Sequence, residues 1–197
     1  MKRLFDIIFS LLILVSSIPV LFVTFLFLVF DLNNGPILFI QERIGQNRKT
    51  FKIYKFRTMA LSKIIANSDF DAGDISRVTK LGSILRKAKL DELPQLINVL
   101  KGDMSIIGPR PEVQQWTEVY PEKWKIVHSV KPGITDNASI EFRNEEELLA
   151  QSEDPIKTYK DEILLRKLDL YIDYVNNQSF WGDIMIILKT IKVVILK

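Results

Sequence analysis

The stretch from Ile7 to Phe30 constrains this chain more than any other. It holds 24 residues, almost wholly apolar and without a charge. A run of that length is enough to cross a bilayer as a helix. It is too long for the core of a signal peptide, and no small-residue cleavage site follows it. Two features oppose a plain span. Lys2 and Arg3 precede the run, and a basic cluster beginning at Arg43 follows it. Positive charge on both flanks defines no inside and outside. Pro19 interrupts the run; it has no N–H to donate to the Val15 carbonyl, and its ring opens that turn. Ser16 and Ser17 stand beside the break and can satisfy freed backbone groups. A helix bent at Ser17 and Pro19, entering and leaving by one membrane face, resolves both conflicts. A straight span with a tolerated proline is the alternative.

The other end repeats the theme. Phe180 to Leu196 is apolar apart from Asp183, Thr190, Lys189 and Lys192, and carries Trp181 near its start. At 17 residues it is marginal for spanning. An amphipathic helix lying in the headgroup region is expected, with a buried core helix as the alternative. The chain is therefore expected to be one domain, α+β and mostly helical. Residues 1–33 form the re-entrant membrane helix, 34–178 a cytosolic catalytic region, and 179–197 an interfacial helix.

Between the two ends, Asn33-Asn34-Gly35-Pro36 marks a turn. Ile37–Ile44 and Thr50–Thr58 read as strands of a short hairpin turning at Gly45-Gln46-Asn47-Arg48. Arg43 to Arg57 contains Arg43, Arg48, Lys49, Lys52, Lys55 and Arg57, with Glu42 the neighbouring acid. Such a patch sits over anionic lipid, holds an anionic substrate, or is simply a solvated face. Ser62 to Gly73 reads as a mobile polar loop. Ile75 to Lys89 reads as a basic helix with Val78, Leu81, Ile84 and Leu85 on one face.

The most informative window is Leu90–Pro111. Leu93, Leu96, Ile97 and Leu100 have helical spacing, and Pro94 belongs in a first turn. The helix should begin near Asp91 and stop at Lys101-Gly102. That places Asp91 and Glu92 at its N-terminus, which favours anions. An ordinary aspartate N-cap fits Asp91 equally well. Arg86 lies upstream. Downstream, Gly108-Pro109-Arg110-Pro111 holds an arginine in a stiff loop, suited to binding phosphate by its fork of donors or else a simple tight turn. Trp116 to Lys131 is amphipathic, Ile134–Phe142 reads as a strand, and Asn144 to Asn177 as surface helices broken at Pro155.

Composition narrows the chemistry. The chain has no cysteine and one histidine, His128. Thiolate chemistry, disulfides and histidine metal clusters are excluded. His128 reads as structural, and acid–base work falls to carboxylates. A net charge of +3 and the absence of nucleic-acid motifs argue against a nucleic-acid partner.

An ordered series of motifs then resembles the monotopic phosphoglycosyl transferases, the bacterial sugar transferase family. It runs Lys2-Arg3-Leu4-Phe5-Asp6, Gln41-Glu42-Arg43-Ile44-Gly45, and Phe51 to Met59. It continues through Leu90-Asp91-Glu92-Leu93-Pro94-Gln95-Leu96, Asn98 to Ser105, Gly108-Pro109-Arg110-Pro111, and Lys131-Pro132-Gly133-Ile134-Thr135. The resemblance implies a re-entrant helix on the cytoplasmic face of the bacterial inner membrane. It implies transfer of a sugar 1-phosphate from a UDP-sugar to undecaprenyl phosphate with release of UMP, and a need for Mg²⁺. Downstream glycosyl transferases would be partners of such an enzyme. By the same resemblance Asp91 is the nucleophile and lies at the metal site, and Glu92 has the acid–base role. Arg86, Arg110 and Arg143 match family arginines that line the phosphate and nucleotide region, and Lys55 of the basic hairpin is a further candidate for binding there. Two departures stand out. Ser17-Ile18-Pro19 replaces an adjacent Ser-Pro pair. After Thr135 the chain reads Asp136-Asn137-Ala138-Ser139-Ile140-Glu141-Phe142-Arg143, where much of the family reads Gly-Trp-Ala-Gln-Val-Asn-Gly-Arg. A segment facing the sugar or base, or a drifted surface strand, would explain the second. A non-catalytic membrane-surface scaffold, and a glycosyl transferase releasing UDP, are the competing functions.

Overall fold

The computed structural model describes residues 1–31, 35–60 and 77–195. The expected loop from Ser62 to Gly73, the start of the helix expected from Ile75, and Asn33-Asn34 lie outside them. The described chain is mostly helical with two small sheets, so α+β holds.

The apolar N-terminal run divides as Pro19 requires. α1 spans Lys2–Ser16 and α2 spans Ile18–Phe30, bent by 62° at Ser17. Pro19 takes the first turn of α2, where a missing N–H costs nothing. Ser17 N–H still donates to the Ile13 carbonyl at 2.9 Å, and the Ser16 hydroxyl reaches the same carbonyl at 3.0 Å. Ser17 caps nothing through its side chain. Among the described residues no single helix is long and apolar enough to cross a membrane; only the bent pair together is. Both helices expose apolar side chains, Leu12, Val15, Phe22, Phe27 and Phe30 among them.

β1 (Leu38–Ile44) and β2 (Thr50–Phe56) pair antiparallel, close to the expected strands. The turn between them uses positive φ at Asn47 and Arg48. α3 (Lys80–Lys87) is capped by the Thr79 hydroxyl accepting from Gly82 N–H at 2.8 Å. α4 (Gln95–Lys101) ends where expected: Gly102 adopts φ 95°, open to glycine without strain, and closes the last turn. The buried faces differ from the periodic reading. Leu85, Leu96 and Val99 are buried, while Ile84 and Ile97 point outward.

β3 (Ser105–Ile107) and β4 (Gly133–Thr135) form a parallel pair. The strand expected from Ile134 to Phe142 stops at Thr135, because Asp136 caps a helix. Its carboxylate accepts from Ser139 N–H at 2.8 Å and Ser139 Oγ at 2.7 Å, starting α7 (Asn137–Glu141). α5 (Gln114–Thr117) and α6 (Pro121–Val127) supply Trp116 and Trp124 to the largest core. α8 (Glu145–Ala150), α9 (Pro155–Thr158), a π-turn at Tyr159–Ile163 and α10 (Leu164–Asn177) follow. This region is not surface scaffolding alone: Tyr159, Leu164, Leu168 and Tyr171 are core residues packed against those tryptophans. His128 is structural, buried and stacked on Trp124 at 5.1 Å. Burial pushes its pKa down to about 4, so it is neutral at physiological pH.

α11 (Phe180–Ile195) turns Asp183 and Ile186 inward and exposes Trp181, Met185, Leu188 and Ile191. The start of α1 is fastened to this end. Lys2 Nζ donates to the Ile107 carbonyl at 3.0 Å, to Tyr174 Oη at 3.1 Å and to the Asp183 carboxylate. Arg3 donates to the Val99 and Leu100 carbonyls at the end of α4. Asp6, buried, accepts from Ser105 Oγ at 2.9 Å and Ile106 N–H at 3.1 Å.

Candidate active site

The site is assembled from the hairpin, the turn before α4 and the loop after β3. Asp91 and Glu92 occupy a 3-10 turn, Leu90–Glu92, entered through Lys89 at φ 56°. This corrects the expected geometry. α4 starts only at Gln95, with Pro94 at its cap position, so the carboxylates precede the helix rather than open it. Pro94 holds the cap position of α4 and no side chain caps that helix, which removes Asp91 as its N-cap. A buried aspartate that caps nothing needs another explanation.

The two neighbours have opposite surroundings. Glu92 is clasped by cations: Lys55 Nζ donates at 3.1 Å, and Arg110 donates through both terminal nitrogens, Nη1 at 3.5 Å. Burial works against the Glu92 charge, but Arg110 and then Lys55 outweigh it and hold the carboxyl well below the usual carboxylate range. Asp91 is 8% exposed, and its Oδ1 is buried without a hydrogen-bond partner. Burial, then the adjacent Glu92 charge, raises its pKa; Lys55 and Lys89 offset only part of this. Adjacent carboxylates are thus driven apart in proton affinity by their environments, a pattern typical of functional pairs.

The cations are held by backbone geometry. On one face of the hairpin, β2 directs Lys55 toward Glu92, and β1 carries Phe39, Gln41 and Arg43. Burial lowers the Lys55 pKa despite its partner. Arg110 stands between Pro109 and Pro111 in the loop after β3. That loop is pinned from behind: Gly133 N–H donates to the Pro109 carbonyl at 2.9 Å and Gly108 N–H to the Thr135 carbonyl at 3.2 Å. The approach demands glycine, since a Cβ on Gly133 would stand 2.1 Å from Gly108 N. The Coulomb attraction of Glu92 raises the Arg110 pKa further above its ordinary value.

Of the residues singled out from sequence, Asp91, Glu92, Lys55 and Arg110 come together. Arg86 does not join them by side-chain bonding: its guanidinium donates to Thr58 Oγ1 at 2.9 Å and pairs with Glu146 at 2.7 Å. Arg143 is exposed beyond α7, without an ion pair among the described residues. Sequence reasoning missed a buried network behind the arginine loop. Glu112 accepts from Arg43 Nη1 at 3.1 Å and from Tyr159 Oη at 2.8 Å, while Ile44 N–H donates to its carbonyl at 2.9 Å. The position of Glu112, directly after Pro111, was the available signal. Asp136 was also missed as a buried carboxyl; burial raises its pKa against the pull of its bonds to Ser139.

Among the described residues, no three carboxylate or histidine side chains gather as a closed metal shell. A Mg²⁺ site does not need one, because this ion is commonly held by one or two carboxylates plus substrate phosphates. The unpartnered Asp91 Oδ1 fits that role.

A buried carboxylate with an unpartnered oxygen thus stands beside a second one paired with lysine and arginine. The chain belongs to the bacterial sugar transferase family, whose model matches residues 1–197. It is 35% identical over 210 residues to the undecaprenyl-phosphate galactose phosphotransferase of Salmonella typhimurium, covering 99% of this chain and 40% of that protein. It is 36% identical over 198 residues to the UDP-glucose:undecaprenyl-phosphate glucose-1-phosphate transferase of Escherichia coli, covering 97% and 39%. It is also 36% identical over 195 residues to the uncharacterized sugar transferase EpsL of Bacillus subtilis, covering 99% and 87%. The chain therefore spans about two fifths of the first two relatives.

Proposed function

We propose that this chain transfers a sugar 1-phosphate from a UDP-sugar to undecaprenyl phosphate, with release of UMP. The observation that carries the reading is the asymmetry between Asp91, with an unpartnered buried oxygen, and Glu92, whose two oxygens both face cations. Asp91 is the member of the pair whose charge no hydrogen bond or ion pair engages among the described residues. Its carboxylate attacks the β-phosphorus of the donor, the bond from that phosphorus to the bridging oxygen breaks, and UMP leaves with the electron pair. A phosphate oxygen of the lipid then attacks the same phosphorus and Asp91 is expelled as carboxylate. Arg110 and Lys55 stabilise charge on the phosphates in both steps. Glu92, held well below the usual carboxylate range and so a weak base, keeps these two cations aimed at the site. Mg²⁺, held by Asp91 and phosphate oxygens, would neutralise diphosphate charge.

The acceptor places this chemistry at a membrane. The bent pair α1–α2 enters and leaves by the cytoplasmic face of the inner membrane, and the exposed apolar side of α11 lies in the headgroup region. Support comes from the 62° bend and from Trp181, Met185 and Leu188 facing outward on α11. The segment from Asp136 to Arg143 departs from the family and contributes to the choice of sugar. Exchanging it for the common family segment should change donor preference; an unchanged preference would remove that assignment.

The deciding assay uses the purified chain, undecaprenyl phosphate, Mg²⁺ and UDP-glucose or UDP-galactose. UMP release is the expected result. UDP release would instead make the chain a glycosyl transferase, and no nucleotide release would favour a scaffold. Reporters at the N-terminus and after Lys197 should both map to the cytoplasm; opposite sides would exclude the bent re-entrant helix.

A further inference from the structure

The first residues of β1 break the rule that a strand buries apolar side chains on at least one face. Leu38, Phe39 and Ile40 are consecutive, so they point alternately to both faces, yet they are 39%, 46% and 51% exposed. Three apolar neighbours exposed together, within a chain that buries Ile44 and Ile53 on the same hairpin, call for something that covers them.

Register identifies what lies alongside. Phe39 is the direct partner of Lys55. Opposite residues of an antiparallel pair share a face, with Cβ atoms about 4.5–5.5 Å apart. Lys55 on that face reaches Glu92 at 3.1 Å. The Phe39 ring therefore borders the lysine of the site, at the end of the hairpin where the chain arrives from α2. Ile37 packs with Leu28 of α2 and Phe56 of β2, tying the strand's start to α2. The outer side of α2 is itself apolar and open, with Phe22, Phe27 and Phe30 at 60%, 58% and 85% exposure. One boundary of the site is thus cationic and the adjoining one apolar.

We infer that the exposed start of β1, centred on Phe39, receives the first isoprene units of the lipid-phosphate acceptor, beside Lys55 and on the α2 side of the site. This rests on the transfer reaction proposed above and adds where the acceptor lies. A phosphate bearing an apolar chain matches a cation flanked by apolar residues that lead toward a membrane helix.

The test is kinetic, with the full chain. Phe39→Ala should raise the KM for undecaprenyl phosphate about tenfold, equivalent to about 1.4 kcal/mol, while the KM for the UDP-sugar stays put. Phe39→Leu should recover most of the loss, which a need for an aromatic ring would not allow, and the unchanged donor KM excludes a fault in folding. A rise in donor KM instead, or no change in either, overturns the assignment. Direct binding of farnesyl phosphate, measured without donor, separates this idea from the reaction itself. Weaker binding by Phe39→Ala supports a lipid site at the start of β1 even if no UMP is ever released, whereas equal binding by both proteins overturns it even if the reaction is confirmed.

Discussion

Replacing Asp91 by asparagine should abolish turnover and at the same time stabilise the protein. The carboxylate is 8% exposed, has a buried oxygen without a partner, and adjoins the charge of Glu92. Leaving a buried polar group unsatisfied costs about 1–3 kcal/mol. Asparagine retains an acceptor oxygen but removes the charge, so about 1 kcal/mol of relief is expected. For a chain of this size that raises the midpoint of thermal unfolding by about 2–4 °C. The gain must depend on pH with a definite sign. The folded-state pKa of Asp91 lies above its unfolded value, so the wild type loses stability as pH rises between the two and carries the full penalty above the folded value. The advantage of Asp91→Asn should be absent well below the ordinary aspartate value of about 4, grow as pH rises above it, and level off above the raised folded value. Thermal unfolding of both purified proteins across a pH series, with UMP release measured alongside, makes the test. An asparagine variant that unfolds at lower temperature than the wild type would refute the claim of an unsatisfied charge. One that still releases UMP at a substantial rate would refute the nucleophile.

Three further outcomes follow from the surroundings of the pair. Arg110→Ala removes the larger of two cations holding Glu92 and should cost about 3 kcal/mol of stability, the lower end for breaking a buried pair, together with a loss of UMP release that Arg110→Lys only partly restores. Tyr159→Phe removes one hydrogen bond to Glu112 and should cost about 1 kcal/mol with turnover retained; a collapse of turnover would show that the network behind the loop acts on the chemistry directly. Gly133→Ala places a Cβ against Gly108 N and should lower both the unfolding temperature and the apparent affinity for UDP-sugar, since it displaces the loop carrying Arg110; an unchanged affinity would show that loop position is not critical.

Which features were legible from sequence follows from the range over which each is determined. Pro19 and Gly102 act within one helical turn, so the break near Ser17 and the stop after Lys101 could be read directly. The hairpin was legible for the same reason: its turn residues and alternation are local. Asp91 was placed wrongly relative to α4 because Pro94 is compatible both with a first helical turn and with a position just ahead of one. Ile84 and Ile97 were assigned to buried faces by spacing alone, but spacing cannot say which neighbour arrives. Ile134–Phe142 failed because Asp136 competes for the backbone as a helix cap, a local effect that apolar alternation hides. Asn144 to Asn177 reads as surface because its charges are many, while Tyr159 and Tyr171 pack on Trp116 and Trp124. The meeting of Lys55, Glu92 and Arg110 was beyond local reading altogether. It is set by the hairpin register and by the β3–β4 pairing, and only motif resemblance pointed to it.

The anchoring of the first turn of α1 bears on how the molecule is assembled during synthesis. Lys2 and Asp183 are 181 residues apart, and Asp6 reaches Ser105 across 99. Ribosomes add about 5–20 residues per second, so roughly 10–40 s pass between the emergence of Lys2 and that of Asp183. Arg3 and Asp6 find their partners about halfway through that interval, when α4 and β3 have been made, so over its second half only the Lys2 attachment to α11 stays open. Asp6 can lock first, once β3 has been made, and Lys2 last, when α11 appears. The order of these two attachments is written into residue spacing, and it makes the arrival of the C-terminal helix the event that completes the fastening of α1.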